Sequence, residues 1–296
     1  MGLRYARPAA MGSHRLSRSV GGISIAMRLA GYDVDALSIG GIETCIEIPE
    51  LDLAFDIGRC PPSAVKRRRI LLTHAHMDHA GGLAYHAATR DLYKVKPPTW
   101  YVPHENAADI LALLDVWRRL DGSDLPVTVV PCGPGDAVDL GGGWVARPFR
   151  SPHRVPCQGY ALCRQKQRLR PEFVELSQAQ IREMARAGES VSDLIESVEI
   201  AFTGGTLPDV IEREEWVRTA RLLIMECTFI DSRVSVEKAR ASGHVHLDEL
   251  VDRAHLLHNE AILLTHFSQR YSPAQVRESL ARRLPEGLRD RVVPLV

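Results

Sequence analysis

Short apolar runs with the character of β-strands follow one another along the chain from about residue 32. In the first half they cover residues 36–39, 44–48, 53–57, 70–73 and 100–102. In the second half they cover residues 127–130, 144–149, 160–163, 199–202, 222–226 and 261–265. The pattern therefore predicts two similar, strand-rich halves.

Helical periodicity appears between the later strand-like runs. Residues 106–120 place four apolar side chains on one face at a spacing of three to four, namely Ile110, Leu113, Leu114 and Trp117. Residues 178–187 and 247–257 show the same pattern. Strands that first meander and then alternate with helices predict two stacked sheets covered by helices, in a single domain spanning residues 32–296.

The beginning of the chain differs from the rest in charge. Residues 1–32 carry arginines and contain no acidic residue. We expect residues 1–31 to form a disordered extension, or to reflect a mis-assigned start with Met11 or Met27 as the true one. An organelle transit signal is the weaker interpretation, because the segment lacks a clear amphipathic stretch.

Charge and composition narrow the class of protein. The 37 basic residues balance the 37 acidic ones, so any RNA partner must be held by a local basic patch. No stretch approaches the ~20 apolar residues of a membrane helix, which excludes an integral membrane protein. The six cysteines form no C-x-x-C pair, which argues against a disulfide framework or a thiolate zinc site. We therefore expect a protein of the reducing cytoplasm.

Metal-binding side chains follow one buried strand. The apolar run 69–73 leads directly into His74, His76, Asp78 and His79. Alternate residues of an extended chain share a face, so the first two histidines can bind one ion. The aspartate and the third histidine fall in the next turn and can reach a second ion. Zinc prefers these ligands when one coordination position stays open for water, whereas four such residues in six positions are unusual for a polar loop that only caps a helix.

The H-x-H-x-D-H pattern resembles the signature of the metallo-β-lactamase superfamily, and five further segments resemble ribonuclease Z, the tRNA 3′-end endonuclease. They are residues 151–160 around a third histidine, 201–206 (T-G-D-T in the family), 226–229 (E-x-T-F), 241–244 (the G-H-S-T region) and 264–271 (L-T-H-F-S-x-R-Y). The short, plant-type enzymes are the nearest likeness. The resemblance implies the α+β class with a four-layer αββα fold, and endonucleolytic removal of the 3′ trailer of precursor tRNA.

The resemblance also implies a pair of Zn²⁺ ions, for which Mn²⁺ could substitute. The implied ligands are His74, His76 and His153 for one ion, and Asp78, His79 and His266 for the other. Two such ions can acidify a shared water and neutralise phosphodiester oxygens.

Three of the matching residues would serve the reaction itself. Asp78 could orient the attacking water as well as bind metal, and His244 would protonate the leaving 3′ oxygen. Glu226 could accept a hydrogen bond from a ligand histidine. The alternative for Glu226 is a strand-end carboxylate in water.

One position departs from the family pattern. Gly205 stands where the family has the aspartate that bridges the two ions. Because close cations repel, the loss of this carboxylate should weaken the second site most. Asp209 could reach in instead, the site could use one tightly bound zinc, or hydrolysis could be lost with only RNA or partner binding retained. Hydrolysis of a small phosphodiester or thioester is a further alternative, since the fold does not fix the substrate.

Regions for substrate and partner binding carry a weaker signal. The basic runs 66–69 and 164–170 offer phosphate contacts. Residues 164–199 suggest a basic segment and a helix rather than the family's Gly- and Pro-rich tRNA-binding arm. Family members are commonly dimers, which implies a homodimer. Three other histidines along one helical pattern are predicted to lie at the surface, namely His246, His255 and His258.

Overall fold

The computed structural model describes residues 15–19 and 22–296, whose fifteen β-strands form two sheets. In the first sheet eight strands lie side by side in chain order. They are β1 (Arg15–Ser19), β2 (Gly22–Leu29), β3 (Tyr32–Ile39), β4 (Glu43–Ile48), β5 (Leu53–Phe55), β6 (Arg69–Leu71), β7 (Thr99–Pro103) and β8 (Thr128–Cys132). Strands β1 to β5 pair antiparallel, and β5 to β8 pair parallel.

The second sheet contains seven strands that also follow chain order. They are β9 (Val138–Gly141), β10 (Trp144–Arg150), β11 (Gln158–Leu169), β12 (Ser192–Phe202), β13 (Leu222–Glu226), β14 (Ala261–Thr265) and β15 (Val292–Pro294). Pairing is antiparallel from β9 to β12 and parallel from β12 to β15. Each sheet thus passes from an antiparallel meander to parallel strands, and segments that carry predicted metal ligands follow parallel strands in both.

Helices connect parallel strands of both sheets, and one further helix connects the antiparallel strands β11 and β12. The helices are α1 (Met77–Ala80), α2 (Leu83–Leu92), α3 (His104–Asp121), α4 (Gln178–Arg186), α5 (Val210–Arg213), α6 (Glu215–Thr219), α7 (Val236–Ser242), α8 (Leu247–Asp252), α9 (Pro273–Arg283) and α10 (Glu286–Arg289). None of the helices within residues 15–19 and 22–296 combines the length and apolar character that crossing a membrane requires.

Three apolar clusters define the layers. The two sheets pack face to face, with the rings of Phe55 and Phe202 in contact at a centroid distance of 5.0 Å. A second cluster, including Leu83 and Ile110, lies between the first sheet and helices α2 and α3. A third cluster lies between the second sheet and helices α5 to α9. The predicted four-layer αββα arrangement of the α+β class is confirmed.

The fold begins earlier than residue 32, so the prediction that residues 1–31 form an extension is wrong for the part the structure describes. Strand β2 pairs with β3, and Met27 and Leu29 are buried between the sheets. Arg28 lies between them and forms an ion pair with Asp33. Arg28, one of the arginines that suggested an extension, therefore lies between two buried apolar residues of β2, a strand that pairs with both β1 and β3. Residues 1–14 and 20–21 lie outside the described residues.

Other elements match the prediction with local differences. Helices α3 and α4 lie where the periodicity places them, while the pattern at residues 247–257 divides into α8 and a 3-10 turn, Ala254–Leu256. Strands β11 and β12 extend well beyond the apolar cores that revealed them. Their outer parts pair with each other, and α4 lies between them in the chain. Residues 164–199 are therefore a two-stranded arm with a helix.

Candidate active site

A first group of three histidines assembles at the C-terminal end of β6. His74 lies three residues after the end of that strand, and His76 is the residue immediately before α1. The segment after β10 brings in His153. Nδ1 of His76 lies 3.0 Å from Nε2 of His74 and 3.4 Å from Nε2 of His153. The three nitrogens can therefore bind one ion together.

A second group joins α1 to the end of β14. Oδ2 of Asp78 lies 3.6 Å from Nε2 of His79 and 3.3 Å from Nε2 of His266. His266 adopts a left-handed conformation with φ of 61°, which costs a non-glycine residue about 1–3 kcal/mol. Its backbone N–H donates to the hydroxyl of Ser38 on the first sheet. This contact between the two sheets holds the strained residue at the site.

A buried aspartate lies behind both groups. Asp56 accepts hydrogen bonds from the backbone N–H and the hydroxyl of Thr73, and its Oδ2 lies 2.7 Å from Nδ1 of His79. Oγ1 of Thr73 lies 2.9 Å from Nδ1 of His74. Because the threonine hydroxyl gives its proton to the aspartate, its oxygen accepts from the histidine N–H. Both histidines therefore direct Nε2 at the other side chains of their own group, where an ion could bind.

The second sheet repeats this arrangement with a glutamate. The hydroxyl of Thr228 donates to Glu226 at 2.5 Å, and its oxygen lies 2.9 Å from Nδ1 of His266. Nδ1 of His244 lies 2.8 Å from Oε1 of Glu226. The glutamate is 2 % exposed and also accepts from the backbone N–H of Thr206. Glu226 is thus a buried hydrogen-bond acceptor and not a strand-end carboxylate in water.

His244 lies at the mouth of the site beside both histidine groups. Its ring stacks on His266 at a centroid distance of 5.1 Å and lies 5.4 Å from the ring of His153. Helix α7 ends before Gly243, whose φ of 83° turns the chain sharply. The carbonyl of Gly243 accepts from Nδ1 of His153 at 2.7 Å. One turn therefore positions both His244 and a histidine of the first group.

Burial and charge set the protonation of these side chains. Burial lowers the pKa of His74 well below its usual value and that of His153 to about 4, so both are neutral and available to bind metal. Burial acts in the same direction on His79 and His244, but the carboxylates of Asp56 and Glu226 respectively outweigh it and raise their pKa values. For Asp78 burial acts to raise the pKa, but the hydrogen bond with His266 and the electrostatic effects of His79 and His266 together outweigh burial and lower the pKa, so the carboxylate is ionised.

The donor set fits two divalent ions of the zinc type. Five imidazole nitrogens and one carboxylate form the two groups, and within each group the ligand atoms lie within 4.8 Å of one another. Four of the histidines engage Nδ1 with an oxygen of the protein, which leaves Nε2 for the ion. A third convergence of Glu226, His244 and His266 is better described as a hydrogen-bond network, since both glutamate oxygens already accept from the protein.

Gly205 lies against the first group. A Cβ atom at this position would lie 3.0 Å from Nε2 of His153 and 3.2 Å from Cε1 of His74. The φ angle of Gly205 lies outside the left-handed region, so its backbone suits other residues. Asp209 does not take the place of the family's carboxylate, because it pairs with Arg240 at 3.0 Å and joins neither metal-binding group within the described chain.

The environment or role of several residues differs from what the sequence predicts. His246 is buried and not at the surface: its Nδ1 accepts from the backbone of Asp248 and caps α8. His255 and His258 are exposed as predicted. The sequence reasoning missed Asp56, Thr73 and Thr228 as residues that orient the histidines. An aspartate inside the apolar run 53–57 was a detectable signal, because a buried carboxylate requires partners.

Comparison with known proteins places the chain in a family. Residues 57–267 match the beta-lactamase superfamily domain. The chain is 40 % identical to tRNase Z TRZ1 of Arabidopsis thaliana over 272 residues, covering 91 % of this chain and 97 % of that protein. It is 36 % identical to the chloroplastic tRNase Z TRZ2 of the same plant, covering 91 % of this chain and 76 % of that protein.

Solved structures share the fold. The metallo-β-lactamase fold protein YhfI from Bacillus subtilis matches with a TM-score of 0.55 at 15 % identity, covering 87 % of this chain and 92 % of that one. Human short-form tRNase Z matches with a TM-score of 0.50 at 21 % identity, covering 81 % and 87 %. These two structures support the fold, and the superfamily match together with the extended similarity to the plant proteins shows that the chain belongs to the tRNase Z family of the beta-lactamase superfamily.

Proposed function

We propose that this protein is a zinc-dependent endonuclease that removes the 3′ trailer of precursor tRNA. The observation that carries the proposal is the placement of His244, held by Glu226, beside two three-residue metal-binding groups. The similarity to proteins named tRNase Z over 91 % of the chain supports the choice of substrate.

The side chains support hydrolysis of a phosphodiester. Bound Zn²⁺ would lower the pKa of a water and neutralise phosphate oxygens, and Mn²⁺ would fill the same role. The ionised Asp78 orients the attacking water, whose proton passes to solvent. As the bond from the water oxygen to phosphorus forms, the bond from phosphorus to the 3′ oxygen breaks. His244, whose pKa the carboxylate of Glu226 raises against the effect of burial, donates a proton to that oxygen.

The arm formed by β11 and β12 offers contacts to the RNA backbone. Lys166 and Arg168 on its outer part are exposed. Arg170 is paired with Asp193, and Arg67 in the other basic run is paired with Glu47. We expect the two exposed cations to bind phosphates without reading sequence.

An exposed apolar face of α2 and α3 supports a homodimer. Ile110 and Leu114 lie in the core, but Leu113 and Trp117 are 56 % and 45 % exposed. Tyr85, on α2, is 62 % exposed. Such a face favours burial against a second copy. Replacing both Leu113 and Trp117 with Glu should yield a monomer in sedimentation analysis.

The oxidation state of the cysteines supports a cellular location for the protein. All six are free thiols, and five of them are buried. A reducing compartment maintains thiols in this state, which supports a cytoplasmic protein.

Cleavage of a precursor tRNA in the presence of Zn²⁺ or Mn²⁺ tests the proposal. The expected products are a tRNA that ends in a 3′ hydroxyl and a trailer with a 5′ phosphate, and cleavage by a His244→Ala variant should be slower by ~10²-fold or more. Turnover of only a chromogenic phosphodiester or a thioester would overturn the tRNA assignment. RNA binding without cleavage would favour the non-hydrolytic alternative, for which Gly205 is the specific observation.

A further inference from the structure

Arg154 lies at the mouth of the site, between a histidine of the first metal-binding group and the turn that carries His244. It follows His153 in the chain and is exposed. Its Cγ lies 2.9 Å from the point where a Cβ of Gly243 would be. The aliphatic stem therefore packs on the turn, and the guanidinium group extends from it.

The chain around Arg154 links two parts of the site. Nδ1 of the preceding residue, His153, donates to the carbonyl of Gly243 at 2.7 Å, and Gly243 directly precedes His244. The rings of His153 and His244 lie 5.4 Å apart. The side chain of Arg154 therefore starts beside a histidine of the first group and close to the turn that carries His244.

Arg154 has no anionic partner within the described chain. Neither an ion pair nor a side-chain hydrogen bond involves it among residues 15–19 and 22–296. Some arginines in the same half of the chain do have such a partner: Arg147 pairs with Glu196, Arg221 with Glu260, and Arg240 with Asp209. An arginine held by its stem and left without an anion is available to a ligand.

We propose that Arg154 binds a non-bridging phosphate oxygen of the substrate's backbone beside His244. This role rests on the proposed function, since it assigns a contact to the RNA of that reaction. The guanidinium group is permanently charged and presents paired N–H donors that fit phosphate oxygens. The bound phosphate is then the anion that neutralises the arginine.

Three variants separate charge from packing. Arg154→Met retains much of the aliphatic stem and removes the charge, whereas Arg154→Lys retains a charge without the planar fork. Arg282→Met removes an exposed arginine of α9 in the outer helical layer and serves as the matched control. Zinc content and thermal unfolding, measured for each, should remain as in the unmodified protein.

With precursor tRNA we expect Arg154→Met to raise KM about tenfold at little changed kcat, as for loss of one charge-assisted hydrogen bond. The KM of Arg154→Lys should lie between those of Arg154→Met and the unmodified protein, and the KM of Arg282→Met should equal that of the unmodified protein. In a His244→Ala background, the slope of log affinity against log salt for this RNA should fall by about one with Arg154→Met. An unchanged KM and salt slope would overturn the role of Arg154.

A second probe keeps this inference separate from the proposed function. Inorganic phosphate, titrated calorimetrically into the zinc-loaded protein, needs no cleavage. Arg154→Met should weaken its binding about tenfold, and Arg282→Met should not. Equal phosphate affinity of Arg154→Met and the unmodified protein would overturn the inference, even if precursor tRNA is cleaved. If precursor tRNA is not cleaved but the phosphate difference is found, the proposed function fails and the anion contact stands.

Discussion

Nδ1 of His244 lies 2.8 Å from Oε1 of the buried Glu226, so one carboxylate fixes the orientation of this imidazole and favours its charged form. The same glutamate reaches His266 through the hydroxyl of Thr228. The side chain assigned to the leaving group and a side chain assigned to metal binding therefore share one acceptor.

Replacing His244 with Ala should lower kcat by ~10²-fold or more, because a positioned acid is lost. Metal content, measured by elemental analysis, should not change, since His244 lies outside both metal-binding groups. The exposed His258, replaced by Ala, is the matched control; the buried His246 is unsuitable because it caps a helix. Normal turnover by His244→Ala would assign His244 to structure alone.

The pH dependence of cleavage should respond to Glu226. The acid form of His244 is required, so the rate should decline as pH rises through its pKa, which Glu226 raises above the usual value despite burial. Glu226→Gln removes that negative charge and should move the declining limb to lower pH by about one unit. The exposed Glu286→Gln is the control. If the pH–rate profile of Glu226→Gln declines at the same pH as that of the unmodified protein, His244 is excluded as the titrating acid.

The first histidine group should retain metal without a carboxylate at residue 205. His74, His76 and His153 form a complete set of three imidazoles. His76→Ala should abolish retention after dialysis, while the exposed His255→Ala should not. Less than about a tenth of an equivalent of metal in the zinc-reconstituted, unmodified protein would contradict this assignment.

Gly205→Asp should restore a carboxylate between the two groups. The backbone of Gly205 suits an L-residue, although His153 and His74 must shift by a few tenths of an ångström to admit the Cβ. The variant should hold close to two ions per chain, and phosphodiesterase activity should rise at least ~10-fold.

Metal content and phosphodiesterase activity of Gly205→Asp can change independently of each other. More metal without more activity would favour RNA or partner binding as the function. No change in metal or activity, in a folded variant, would mean that the missing carboxylate does not limit the site.

Asp56→Asn should weaken metal binding at both groups, because Asp56 contacts His79 directly and His74 through Thr73. Loss of such a partner typically costs 10- to 100-fold in metal affinity. Competition with a chelator measures this, with the exposed Asp290→Asn as control. Loss of metal at the second group alone would show that Thr73 orients His74 without the aspartate.

Local sequence predicts much of this site because the residues of α1 and the strand before it are close in the chain. His74, His76, Asp78 and His79 fall within six positions after an apolar strand. His153, His244 and His266 are far away in sequence, and only the family resemblance placed them at the site. Asp56 was missed because a single polar residue in an apolar run does not reveal which side chains it meets.

The edges of elements were less predictable than their cores. Periodicity detects the buried inner part of β11, whereas its outer part is stabilised by pairing with β12 and carries exposed polar residues. His246 appeared to be a surface residue because its helical pattern shows no carboxylate partner. Its role as a helix cap depends on a backbone N–H that no composition pattern displays.

Hydrogen bonds between Nδ1 and oxygen atoms of the protein orient four of the five histidines in the two groups. None of these hydrogen bonds involves residue 205. Ion affinity and ligand geometry are therefore separable traits in this chain. A single codon change at 205 can tune how strongly ions are held during evolution, while the imidazoles move by only a few tenths of an ångström and keep the hydrogen bonds that orient them. Loss of a carboxylate there is a reversible step, which a later substitution can undo without rebuilding the scaffold.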